Sequence, residues 1–172
     1  MKPKGYIHLY TGNGKGKTTA ALGLALRAAG AGLQVFIAQF VKGMHYSELE
    51  SLGRIPEINI RQYGLDCFIV NEPTEKDIQA ALKGLEEVAD IIRHHRAGVV
   101  ILDEVCIALH YQLFGLEEII SLLKTKPEDM EIVMTGRYAP VELYEYADLI
   151  TEMKEVKHYY NKGIDARKGI EF

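Results

Sequence analysis

Short runs of consecutive apolar residues alternate along this chain with longer stretches in which apolar side chains recur every three or four positions. The runs fall at Tyr6 to Tyr10, Gln34 to Phe40, Ile58 to Tyr63, Val99 to Asp103, Glu131 to Thr135 and Leu149 to Val156. Runs of this length read as parallel strands covered on both faces. Their alternation with amphipathic stretches predicts consecutive βαβ units, that is, an α/β fold with a mostly parallel six-stranded sheet and helices on both faces. Between the first two runs, TTAALGLALRAAG predicts a helix that packs on the sheet and is ended by Gly30 and Gly32. Thr74 and Asp77 stand at the spacing of an N-cap pair, and Ile78, Leu82, Leu85, Ala89 and Ile92 then recur at helical intervals. That pattern predicts a long amphipathic helix leading into the fourth strand. The stretch from Val41 to Pro73, broken by Gly43, Gly53, Pro56 and Gly64, reads as largely irregular and as the natural place for a substrate loop.

A length of 172 residues with 48% hydrophobic content suits one α/β domain with a full core, spanning 1–172. The net charge of -4 gives no basic field of the kind that draws a protein onto nucleic acid. Cys67 and Cys106 lack metal-ligand spacing and read as two reduced thiols, which points to the cytoplasm. MKPKGYIHLYTG has no long apolar stretch after its lysines, and no run elsewhere is long enough to cross a bilayer. The expectation is therefore a protein neither exported nor membrane-spanning.

The strongest chemical signal is IHLYTGNGKGKTTAALGLAL, in which an apolar strand leads through a glycine-rich turn into a helix. Glycines let backbone fold round phosphates, and a helix N-terminus aims N–H groups and partial positive charge at them. Gly12, Gly14, Lys15, Gly16, Lys17, Thr18 and Thr19 are thus candidate ligands of a nucleoside triphosphate. The usual spacing, G-x-x-x-x-G-K-[ST], would place its first glycine where this chain has Thr11, so Gly12 comes one residue late. Lys17 is expected to reach phosphate oxygens and Thr18 to ligate Mg2+, with Lys15 as an extra cation. In AGVVILDEV, an apolar run carries Asp103 and Glu104 to the C-terminal end of a buried strand, expected beside the phosphate loop. Adjacent carboxylates there suit a metal cation; the alternative is Asp103 capping the next helix with Glu104 in solvent. A further strand end, EIVMTGRY, offers Arg137 as a cation for the triphosphate, against the alternative of an ordinary surface arginine.

With those residues in place, nearly the whole chain resembles the P-loop cob(I)alamin (corrinoid) adenosyltransferases of the CobA, BtuR and CobO type. The resemblance is carried by GNGKGKTTAALGLALRAAG at 12–30, QFVKG at 39–43, VVILDE at 99–104, MTGRYAP at 134–140 and ADLITEMKEVKHYYNKGIDARKGIEF at 147–172. It implies a RecA-like P-loop fold, a homodimer, and ATP bound so that its 5′ carbon faces the corrinoid and tripolyphosphate departs. A Co(I) corrinoid is nucleophilic enough to need no general base. The protein would hold C5′ in line and neutralise the leaving group. Lys15, Lys17, Arg137 and magnesium on Thr18, Glu104 and Asp103 would act at the phosphate end. The resemblance also makes Asn13 the candidate for nucleoside contact.

The same resemblance implies a separate reductant as partner and aromatic side chains that close over the lower face of the corrin. The matching region is QYGLDCFIVNEP, but the tryptophan of the best-known branch has no counterpart, since the chain contains no Trp. Phe68 is the candidate wedge and Tyr63 the second; the alternative is that Phe68 packs the core. Phe40, Lys42 and His45, in QFVKGMH, are candidates for the corrin rim. Few residues precede the first strand, so the long arm that covers the site in some members has no counterpart in this sequence.

Other residues read as structural. His94 and His95 end the long helix, where its dipole favours a cation; His8 and His110 read as structural, Cys106 as a buried helix residue, and His158 has no assignable role. Two other functions share the loop and the fold. A hydrolase or kinase would break a phosphate bond and, for hydrolysis, need a water-orienting residue; a non-catalytic carrier would bind corrinoid or nucleotide without turnover.

Overall fold

The computed structural model describes residues 3–65 and 72–172. Strands β1 (Ile7–Thr11), β2 (Val35–Phe40), β3 (Ile58–Tyr63), β4 (Val99–Asp103), β5 (Glu131–Thr135) and β6 (Leu149–Glu152) form one parallel sheet in the order β3-β2-β4-β5-β1-β6. Each lies where an apolar run predicts it. The last is shorter than expected: β6 is an edge strand, all of it exposed, and it stops at Glu152 rather than continuing to Val156. Helices α1 (Lys17–Gly30), α2 (Ser47–Leu52), α3 (Glu75–Arg93), α4 (Val105–His110) and α5 (Leu116–Lys124) connect the strands. α2 interrupts the stretch from Val41 that the sequence marks as irregular.

Both sheet faces are covered, as the continuous apolar runs require. Phe36, Ala38 and Phe40 of β2, Val100 and Leu102 of β4, and Ile132 and Met134 of β5 join a core with α3, α4 and α5. Their sequence neighbours Val35, Ile37, Val99, Ile101 and Val133 point the other way, onto Ala21, Ala25, Ala28 and Ala29 of α1. Each large aliphatic side chain buried there stabilises the fold by ~1.5–3 kcal/mol. The alanine face of α1 brings that helix close to the strands.

Local signals hold at the ends of the two long helices. Thr74 and Asp77 form a reciprocal capping box on α3. α1 closes through Gly32, which takes a left-handed conformation (φ 79°) and donates its N–H to Ala29 O. Among the described residues, no helix is long and apolar enough to cross a membrane.

The acidic pair lies beside the phosphate loop as expected, with Thr18 Oγ1 2.8 Å from Asp103 Oδ1, although the strands that carry them are not sheet neighbours. β5 lies between β1 and β4, and its last residue, Thr135, reaches Asp103 as well. The loops leaving β1, β2, β4 and β5 converge at the carboxyl edge of the sheet, where open α/β folds bind their ligands.

Candidate active site

The displaced glycine of the phosphate loop has a structural cause. Thr11 is still a strand residue: it pairs with Glu152, and its carbonyl accepts from Met153 N at 2.8 Å. The turn starts only at Gly12, whose φ of 95° belongs to glycine. A Cβ at Gly12 would lie 2.5 Å from Met153 O, and Gly14 N donates to that same carbonyl at 2.6 Å. The loop is thus braced from behind by the chain leaving β6. Gly16 begins α1 without a side-chain cap, so the N–H groups of the first turn remain available to anionic oxygens.

Lys17 is buried, and its ammonium donates to Gly12 O and Gly14 O, both at 2.8 Å. Burial pulls its pKa below the usual lysine value, partly offset by Glu104. Thr18 turns towards the acidic pair, donating from Oγ1 to Asp103 Oδ1 at 2.8 Å.

Asp103 is wholly buried and fully engaged. Oδ1 also accepts from Thr135 Oγ1 at 2.7 Å, while Oδ2 accepts from Lys42 Nζ at 2.7 Å and Gln39 Nε2 at 3.2 Å. Thr135 Oγ1 in turn accepts from Glu104 N at 2.9 Å, tying β5 to both acids. Burial alone would raise the pKa of Asp103, but the Lys42 ammonium and the hydrogen bonds from Lys42, Thr135 and Thr18 outweigh it and hold the carboxyl below its usual range. Burial likewise works against the charge on Lys42, and Asp103 outweighs it, so that ammonium's pKa is raised.

Glu104 behaves differently because its backbone is left-handed, φ 59°, between β4 and α4. Among the described residues, no side chain hydrogen-bonds to its carboxylate, which faces the cleft beside Lys17 and Arg137. Burial and repulsion from Asp103 raise its pKa, with Lys42, Lys17 and Arg137 partly offsetting them. These are hard oxygen donors of the kind Mg2+ takes: the Glu104 carboxylate, and a Thr18 hydroxyl whose lone pairs stay free when its proton goes to Asp103. Asp103, the other expected ligand, has both oxygens engaged in hydrogen bonds, one of them from Thr18, and it does not cap α4. Among the described residues, no cluster of three His, Cys, Asp or Glu side chains could hold a metal, so other ligands would come from phosphate and water.

Lys42, expected at the corrin rim, pairs with Asp103 and lines the same cleft as Lys17 and Glu104. Val41 takes φ 58°, a conformation that costs a β-branched residue of the order of 1–3 kcal/mol. This turn sends the next side chain back to Asp103, under the ring of Tyr46 at 5.0 Å. Gly64 makes room for the turn, since a Cβ there would meet Lys42 N at 2.5 Å. Phe40 and Tyr63, also expected near the corrin, are core residues. Phe40 packs against Tyr63 and Phe114, and Tyr63 donates to Glu87 at 2.6 Å, with burial raising its pKa. His45 is exposed and pairs with Glu50 at 3.5 Å. Phe68 lies outside the described residues. Arg137, Asn13 and Thr19 are exposed on the cleft wall, in the same space as Lys17 and Glu104.

Lys15 is not turned towards Lys17 but towards the segment that follows β6. Its ammonium donates to Tyr159 Oη at 2.9 Å, Ile170 O at 3.0 Å and Glu171 Oε1 at 2.5 Å. Tyr159 and Glu171 carried no signal of their own in the sequence; only their place in the terminal motif marked them. His158, unassigned from sequence, accepts from Tyr160 N at 3.1 Å and caps the short 3-10 turn Tyr159–Lys162. The cleft measures about 750 Å³, within the range of small-molecule sites.

Comparisons with known proteins agree with this geometry. A family model described as ATP:corrinoid adenosyltransferase BtuR/CobO/CobP matches residues 3–172. A corrinoid adenosyltransferase of a Sinorhizobium species is 38% identical over 98% of this chain and 81% of its own length. The corrinoid adenosyltransferase CobA of Salmonella typhimurium is 31% identical over 100% of this chain and 88% of its own. Among solved structures, the KaiC-like protein PH0186 of Pyrococcus horikoshii superposes with a TM-score of 0.60 at 17% identity, over 91% of this chain and 76% of that one, a likeness of RecA-like fold alone. With a match that runs from before the first strand to the end of the terminal motif, the chain belongs to the ATP:corrinoid adenosyltransferase family.

Proposed function

We propose that the cleft holds the triphosphate of MgATP and that the chain uses it to transfer the 5′-deoxyadenosyl group to the Co(I) of a corrinoid. The supporting observation is the convergence of Lys17, Thr18, Lys42, Glu104 and Arg137, from four separate loops, on one cleft. In the displacement, a cobalt lone pair attacks C5′ opposite O5′. The Co–C bond forms as the C5′–O5′ bond breaks, and that bond's electron pair departs on tripolyphosphate. No proton has to move, which accords with a site built of cations and backbone N–H donors. Negative charge grows on the leaving oxygens, and Lys17, Arg137 and the first turn of α1 neutralise it more strongly as it develops. Thr18 and Glu104 would hold Mg2+, which supplies divalent charge to the phosphates. Asp103, locked by Lys42 and Thr135, keeps the Thr18 hydroxyl in place.

On the corrinoid side, Phe68 is the proposed aromatic wedge and His45 a proposed rim contact. Family resemblance also supports a homodimer, a cytoplasmic location and a separate reductant; sedimentation velocity tests the first of these.

The deciding experiment is an anaerobic assay with MgATP and chemically reduced cob(I)alamin or cobinamide. The expected products are a light-sensitive adenosylcorrinoid and tripolyphosphate, with turnover lost on chelating magnesium. Orthophosphate release without alkylcorrinoid, from a protein that binds ATP, would overturn the proposal in favour of hydrolysis.

A further inference from the structure

The segment 154–172 carries the least general motif of the sequence, yet the chemistry above leaves it unused. None of its side chains is buried, so apolar packing does not hold it in place. Beyond its join to β6, the described residues outside it that hydrogen-bond to it are Lys15, in the phosphate loop, and Ser47, at the start of α2. Ser47 Oγ donates to Phe172 O at 3.1 Å. These attachments lie on two walls of the nucleotide cleft, and His158, Ile170, Glu171 and Phe172 line the cleft between them.

The Lys15 attachment is a built cluster. Glu171 takes the Lys15 ammonium and the Tyr159 hydroxyl on Oε1, and Arg167 N on Oε2 at 2.7 Å. The Arg167 guanidinium lies within 3.4 Å of the same carboxylate and 4.9 Å from the centre of the Tyr159 ring. These donors hold the Glu171 carboxyl well below the usual range. One carboxylate faces two cations, so the cluster adds no net negative charge to a site that must accept a polyanion. Segments with few buried contacts sit at the low end of local stability and open most readily.

We propose that the segment 154–172 is a dockable wall of the nucleotide cleft and that Glu171, acting through Lys15, is the positioning residue that docks it. This rests on the cleft being the MgATP site. Docking fixes the phosphate loop at Lys15 and encloses the nucleotide between α2 and the segment. Undocking opens a route for ATP to enter and tripolyphosphate to leave.

The test uses the whole protein without corrinoid, so that binding is read apart from turnover. MgATP affinity is measured by calorimetry for the wild type, Glu171→Ala and Glu171→Asp, and tryptic cleavage after Lys162, Arg167 and Lys168 is timed with and without MgATP. Loss of the charge-assisted bonds in Glu171→Ala is expected to weaken MgATP binding about tenfold, with partial rescue in Glu171→Asp. Bound nucleotide is expected to slow cleavage of the segment in the wild type and not in Glu171→Ala, while the melting temperature stays unchanged. Affinity within about twofold of wild type, with equal nucleotide protection in both proteins, overturns the proposal. A wild type that fails to bind MgATP overturns the assignment of the cleft, and this proposal with it.

Discussion

Lys42 Nζ sits 2.7 Å from Asp103 Oδ2, and the pair is largely buried: the lysine side chain is 12% exposed and the aspartate 0%. The contact exists because the chain reverses at Val41 immediately after β2, so a residue on the way out of the sheet turns back to its carboxyl edge.

Removing one partner should therefore leave a buried charge uncompensated. Lys42→Ala is expected to destabilise the fold by ~3–5 kcal/mol, seen as a lower urea midpoint, and Lys42→Ala with Asp103→Asn should recover much of that loss. A cost below ~1 kcal/mol would show that the pair behaves as a solvated one.

Gly64→Ala tests the turn itself. The added methyl meets backbone, Lys42 N at 2.5 Å and Val41 C at 2.7 Å, and neither can rotate away. The expected outcome is weaker MgATP binding, as Lys42 and then Thr18 lose their places around Asp103. Unchanged affinity in calorimetry would uncouple this turn from the phosphate site.

Lys17→Ala should lower adenosylation at saturating MgATP by more than about tenfold, because the ammonium stabilises charge that grows as the phosphates depart. Single-turnover kinetics on folded variant protein is the measurement, and a normal rate would remove Lys17 from the displacement.

The strands and the two long helices were legible because each rests on a local pattern: both-face burial for β2 and β4, the capping box for α3, Gly32 for α1. The phosphate loop was legible for the same reason. Strand order was not, since nothing within β4 or β5 says that β5 will lie between β4 and β1 and bring Thr135 to Asp103. The pairing of Lys42 with Asp103 was not legible, because its direction depends on a left-handed valine, a conformation that valine itself argues against. Glu171 was invisible as a partner of Lys15, as 156 positions separate them and only the folded chain brings them together.

Cys106 gives a pH-dependent check on the core beneath the acidic pair. Burial, with repulsion from Glu104, pushes its thiol up to about 12. In a Cys67→Ser background it should resist iodoacetamide at mildly alkaline pH and be modified only as fast as the protein unfolds. The unfolded thiol ionises near 9.0 while the folded one keeps its proton, so stability should fall as pH rises from there towards about 12. Rapid labelling of the native protein would mean that the region opens locally.

The brace behind the phosphate loop also sets an order of events in the making of the molecule. Gly14 leans on Met153 and Lys15 on Glu171, so the loop waits for partners more than a hundred positions further along the chain. Local elements such as α1 can form as they emerge, but the nucleotide site is completed only by long-range closure, the slow kind of contact. The brace is therefore a late product of folding, whatever the pace at which α1 itself forms.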